Sequence, residues 1–470
     1  MKKLFALLIV ICLAFPLVSC NSRNAGLCTY KIRAEYLDNG VISASMTFSY
    51  VCDIDEGTDY LKFNLFPNAF RKGAKITPME QGDEDYGEIK IISVKDRDGD
   101  LNYEICGSDE NVLKVDLGKV VTYGDKTEIV IDFGVILPEG DYRLAKGEST
   151  VNVGNWYPVL CVFEEDAFVE CEYGPVGDPF YQNVANYEIT LTVPSETVVA
   201  SSGKATSCDV DGNKTSYSYS LSSARDFAFC LSEKFEIKSK KSGNTTVNYY
   251  YYNDENADKT LDVVVKAMDY FSDSFGEYPY ETFSVAESNF NAGGMEYTGL
   301  VYVNDSLNEV NTLYTAVHET AHQWWYGVVG NNQLDEAYLD EGLTEYSTAI
   351  FFDDNADSGV DAKLVFKNAR KACAQYVEIL SAIGENPDNK MVKNLKDFSG
   401  EFEYVNVAYN RGLTMMKTLE DTVSRRKVKG LLAKYYKKHK FGIVTTEDFL
   451  SDMGKGSKIL SAFIDGKAAF

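Results

Sequence analysis

Two of the chain's three histidines stand four residues apart with a glutamate between them, in the run His318-Glu319-Thr320-Ala321-His322. Positions i and i+4 share one helix face, about 6 Å apart along the axis at about 1.5 Å per residue, so the pattern brings the rings together only on a helix. The flanking residues predict one. Leu313, Ala316, Val317, Ala321 and Trp324 recur at helical spacing, and Gly327 is a stop signal. After the polar turn Gly330-Asn331-Asn332-Gln333, Asp335 is expected to cap a second helix running to about Phe352. Its second turn carries Glu341, with eighteen residues between it and His322. A short helix–turn–helix returns the chain antiparallel, which sets Glu341 opposite the histidines. Two imidazoles and a carboxylate form a zinc ligand set, and three protein ligands leave a fourth position open for water, as at a catalytic zinc. One Zn2+ per chain is therefore expected on His318, His322 and Glu341, with Glu319 as general base on the water. The bland alternative is a packed histidine pair beside one more solvated acid; the scarcity of histidine and the spacing of Glu341 argue against it.

The amino terminus carries a different signal. Lys2 and Lys3 precede an apolar run from Leu4 to Val18, which reads as a secretory signal peptide and is short for a membrane span. The run ends Leu17-Val18-Ser19-Cys20, resembling a bacterial lipobox, so cleavage before Cys20 and lipidation of its sulfur are expected. Residues 1–19 are then the signal and 20–27 a tether, and the protein is extracytoplasmic, anchored to the bacterial cell membrane by lipid. If the lipobox is not used, it is secreted. A formal net charge of −25 argues against a nucleic-acid partner and against binding anionic lipid through surface charge. Beyond Cys12 and Cys20, eight cysteines lie between Cys28 and Cys373, and none shows CxxC spacing, so a cysteine zinc site is not expected. Cys161–Cys171 and Cys208–Cys230 are close enough in sequence to pair as disulfides, and free thiols are equally compatible.

From about Cys28 to Phe235 the hydrophobic period is two, in runs such as Val41–Val51 and Tyr187–Pro194, which predicts an all-β, sandwich-like domain over residues 28–240. Near Asn256 the period changes to that of a helix. Residues 241–470 are expected to be mainly helical, with a short β segment around 283–304. The basic run Arg425–Lys440, which includes His439, reads as a solvated helix face.

Further motifs point to a family. Gly293-Gly294-Met295-Glu296, then HETAH with Glu341, resembles the aminopeptidase N family of gluzincin metallopeptidases. The segments FNLFPNAF (63–70), DPFYQNVANYEITLTVP (178–194), RDFAF (225–229), FGEYPYETFSV (275–285) and DEGLTEY (340–346) extend the likeness over most of the chain. The resemblance implies a thermolysin-like (α+β) zinc peptidase domain after the β-domain. It also implies removal of N-terminal residues from peptides with a free amino terminus. Gly293, Gly294, Met295 and Glu296 would form the substrate-binding loop, with the Glu296 carboxylate on the α-ammonium. Tyr409, in VAYNRGLTMMKTLE (407–420), would stabilise the oxyanion, with Tyr404 as the nearby competitor.

Three departures matter. Tyr297 stands where the family motif has Asn, and the β-domain shows no counterpart of the family's Gln/Glu loop that helps clamp the amine. The family's C-terminal helical-repeat domain is also expected to be absent. The rival readings are a thermolysin-like endopeptidase, which has no need of Glu296, and a non-catalytic peptide-binding lipoprotein, which has no need of Glu319.

Overall fold

In the computed structural model, the described residues are 26–468 apart from 38, 80–84 and 175. The expected signal, and Cys20 with it, lie outside them. Among the described residues no helix is long and apolar enough to cross a membrane.

The N-terminal part is β-rich, as its period of two predicts. An eight-stranded sheet has at its centre Thr29–Leu37, hydrogen-bonded in parallel to Ala185–Pro194 and antiparallel to Val41–Val51. Alternate side chains along these strands (Ile32, Ala34 and Tyr36; Ile42, Ala44, Met46 and Phe48) are buried, so one face of the sheet is apolar and must be covered. Two four-stranded sheets cover it. Phe63, on one of them, packs edge-on against Phe48 with ring centroids 5.3 Å apart. The described cysteines, Cys161, Cys171, Cys208 and Cys230 among them, are free thiols.

The C-terminal part opens with a five-stranded sheet in the order Glu236–Ser242, Thr245–Tyr251, Thr282–Ser288, Leu300–Asn304, Gly294–Met295. The boundary expected at residue 240 falls inside the first of these strands, so by sheet membership the chain crosses between the domains before Glu236. The helix Ala257–Phe275 buries Leu261, Val264, Met268, Phe271 and Phe275 as its periodicity predicts, whereas Val265, expected on the same stripe, is only half-buried and Val263 is buried in its place. Helices Glu309–His322, Tyr338–Asp354, Ala362–Ala382, Arg411–Val423 and Arg425–His439 follow. The basic helix Arg425–His439 is tied down by ion pairs from Arg425 to Asp353, Asp354 and Glu420. His439, expected on a solvated face, pairs with an acid: its Nε2 lies 2.6 Å from Asp452 Oδ2.

Candidate active site

The helix Glu309–His322 begins at Asn308, whose side chain accepts from Asn311 N at 3.1 Å. One face of it presents His318, Glu319 and His322, all buried. The partner helix starts differently from expectation. Asp335 is not its cap; Asn332 caps a single turn, Gln333–Glu336, by accepting from Leu334 N, and the long helix Tyr338–Asp354 follows almost without interruption. The two-step entry still delivers Glu341. His318 Nε2 and His322 Nε2 lie 3.1 Å apart, and each is 3.4 Å from Glu341 Oε2.

The outward nitrogens are engaged, which aims the inner ones. His318 Nδ1 lies 3.0 Å from Glu345 Oε1, and Tyr314 donates to the other Glu345 oxygen at 2.7 Å. His322 Nδ1 faces the Trp325 carbonyl at 3.0 Å and Thr344 Oγ1 at 3.2 Å.

The electrostatics of the cluster suit a cation. Burial would raise Glu341, but His322 and His318 outweigh it and pull the carboxyl down to about 2. Burial would lower His322, but Glu296 and Glu341 push it up to about 10. Burial drives Glu296 well above the ordinary range, and Glu319 up to about 7 against the pull of both histidines. A buried pocket with this many carboxylates calls for positive charge. Glu341 Oε2, buried without a hydrogen-bond partner, faces the two inner imidazole nitrogens. Two nitrogens and an oxygen within 4.8 Å of one another are a donor set that fits zinc.

The expected amine-binding loop lies across the site. Gly294 and Met295 form a short edge strand antiparallel to Val303 and Tyr302. Gly293 sits exposed at the rim, its carbonyl accepting from Asn304 N at 3.0 Å. A Cβ on Gly294 would collide with the Glu319 carboxylate, which explains a glycine there. Glu296 is buried, and its carboxylate, that of Glu319 and a His322 nitrogen lie within 4.8 Å of one another. Tyr297, the departure from the family motif, points into the core. Its ring packs on Tyr302 at 5.3 Å, and its side chain fills the space that Gly154 of the β-domain leaves open.

Tyr409 lies on a turn of π-helix, Val405–Asn410, and its hydroxyl donates to Glu341 Oε1 at 2.5 Å. Its ring lies nearly parallel to that of His318, centroids 6.0 Å apart. Tyr404 packs edge-on against Tyr409, so both tyrosines belong to the site, and Tyr409 is the one whose hydroxyl reaches the ligand set.

Several residues were not singled out in the sequence. Asp178 brings a carboxylate from the β-domain, paired with Arg143, whose Nε also contacts Met295 Sδ. Burial raises Asp178 despite Arg143. Arg225 and Asp226 grip Tyr326 from the same domain: Arg225 Nε donates to the Tyr326 carbonyl at 2.8 Å, and the Tyr326 hydroxyl donates to Asp226. Tyr326 has φ +137°, so this grip holds a strained turn directly after the histidine helix. The segments 178–194 and 225–229 carried a family likeness, but nothing in their residue types said that they meet the histidines.

A β-rich domain followed by a helical domain with a buried His–His–Glu cluster, Glu319 beside it, is a two-domain zinc peptidase architecture. Residues 259–466 match the Peptidase family M1 domain, and the chain is similar to aminopeptidases of that family and to M1 zinc metallopeptidases, which implies zinc as its cofactor. Aminopeptidase M1-B of Oryza sativa subsp. japonica is 26% identical over 296 residues, which are 56% of this chain and 32% of that protein. Endoplasmic reticulum aminopeptidase 1 of Homo sapiens is 25% identical over 243 residues, 48% of this chain and 25% of that protein. The matched part thus spans about a third or less of these relatives. In fold, the chain is similar to an M1 zinc metallopeptidase from Deinococcus radiodurans, with TM-score 0.66 at 15% identity over 94% of this chain and 95% of that one. A mutant of that protein bound to a Tyr-Ser-Ala substrate gives TM-score 0.63.

Proposed function

We propose that this chain is a zinc aminopeptidase that removes the first residue from peptides with a free amino terminus. The observation that carries the reading is the buried Glu296 carboxylate within 4.8 Å of Glu319 and His322. A buried carboxylate beside a hydrolytic centre has a ready use as the partner of an α-ammonium group, which limits cleavage to the first peptide bond. The curated relatives named aminopeptidases support the same reading.

His318, His322 and Glu341 would hold the zinc, which when bound supplies Lewis-acid polarisation of water and of the scissile carbonyl. Glu319, buried beside the two histidines, is placed to accept the proton of the attacking water and to return it to the leaving amine. Tyr409 carries a hydroxyl that turns from Glu341 to the developing oxyanion. Asp178 and Arg143 close the β-domain side of the cleft. The lipobox-like Leu17–Cys20 leads us to place the enzyme outside the cytoplasm, tethered by lipid at Cys20, with residues 20–27 as the tether.

The test is hydrolysis of aminoacyl-arylamides, with and without an N-acetyl block, before and after a zinc chelator. Chelator-sensitive release from free-amine substrates alone is expected. Equal cleavage of blocked substrates would make the protein an endopeptidase, and inactivity on both would favour a peptide-binding role.

A further inference from the structure

We infer that Gln333 is a second acceptor for the substrate's α-ammonium group, standing with Glu296; the inference rests on the aminopeptidase reading above. Gln333 opens the single helical turn after the histidine helix and is 2% exposed. Its Nε2 donates to Glu296 Oε1 at 3.1 Å and to Asp340 Oδ2 at 2.6 Å. Both neighbours are carboxylates, and Asp340 also accepts from Asn331 Nδ2 at 3.0 Å through its other oxygen. The amide presents Nε2 to both carboxyl groups and turns Oε1 away from them, and flipping it would set oxygen against oxygen wherever those groups are ionised. Gln333 Oε1 is buried and has no hydrogen-bond partner among the described residues.

A buried acceptor without a donor calls for one from a ligand. The amide that carries it is already bonded to the carboxylate that would hold the ammonium. An ammonium group has three N–H donors, more than one oxygen of Glu296 satisfies. Gln333 supplies this second acceptor from the catalytic domain. It also holds Glu296 in place, because Nε2 bridges that carboxylate to Asp340, the immediate neighbour of Glu341.

The experiment compares two hydroxamates on the zinc-loaded full chain by calorimetry: alanine hydroxamate, which carries the amine, and propanohydroxamate, which lacks it. Wild type is expected to favour the amine-bearing compound. Gln333→Met should shrink that preference by about tenfold, the size expected for a hydrogen bond to a charged group, and leave propanohydroxamate within about twofold of wild type. Should Gln333→Met fail to fold, Gln333→Asn, whose shorter amide does not span Glu296 and Asp340, carries the same comparison. An unchanged preference, or equal weakening of both compounds, overturns the inference and leaves Gln333 a structural brace. A wild type that does not distinguish the two compounds, with Glu296→Gln also without effect, overturns instead the reading of Glu296 on which it rests.

Discussion

Gly342 and Gly412 meet backbone to backbone where the helix carrying Glu341 crosses the helix that follows Tyr409. A Cβ on Gly342 would lie 2.9 Å from the Gly412 Cα, and one on Gly412 would lie 2.5 Å from the Gly342 Cα. Glu341 and Tyr409 flank this crossing, so the hydrogen bond between them depends on an approach that only two glycines permit.

Helix propensity alone would make Gly412→Ala stabilising by about 1 kcal/mol. The crossing reverses the sign: overpacking should cost about 1–3 kcal/mol of stability. Turnover should fall by more than tenfold as Tyr409 is displaced from Glu341. Chemical denaturation and arylamide hydrolysis measure the two effects, and a more stable, fully active variant would refute the crossing as a determinant of the site.

Glu319→Gln preserves shape and removes the base. Zinc content should stay near one per chain, because Glu319 is outside the His–His–Glu set, while kcat drops by about 10²–10⁴. Metal analysis alongside hydrolysis of a free-amine arylamide decides it, and full activity would sink the assignment.

The Glu345 carboxylate, oriented by Tyr314, lies 3.0 Å from His318 Nδ1, where it favours a proton on Nδ1 and a free Nε2. Glu345→Gln is expected to weaken zinc binding by about 10–100-fold, read by competition with a chelating dye. Unchanged affinity would show that the contact is incidental.

Asp226 predicts a pH effect on stability. Burial raises its carboxyl from 3.8 to about 6, against the pull of Tyr326, Thr298 and Arg225. The folded state therefore holds the proton more tightly than the unfolded chain, and stability falls as pH rises from the lower value through the upper one. The two units correspond to about 3 kcal/mol, lost between about pH 4 and 6 and constant above. Unfolding of wild type and Asp226→Asn across that range should show their stability difference narrowing by this amount. A difference independent of pH would contradict it.

The convergence of His318, His322 and Glu341 was legible in the linear chain because it is local. Two histidines one turn apart and a glutamate one short helical return later need only backbone periodicity to converge. The β-domain and the helical domain were legible for the same reason, as periods of two and of 3.6 residues. The cap of the partner helix was misread because Asn332 and Asp335 are both good capping residues, and only the path of the turn selects Asn332.

What tertiary structure alone decided is everything that joins distant segments. Asp178 and Arg143 reach the cleft from the β-domain, Arg225 and Asp226 brace Tyr326, and Gln333 turns its amide between Glu296 and Asp340. Each of these is an ordinary polar residue whose neighbours in sequence say nothing of its partners in space. Their roles come from burial, which leaves every donor and acceptor to find a partner across the fold, and that pairing is set by packing and not by local propensity.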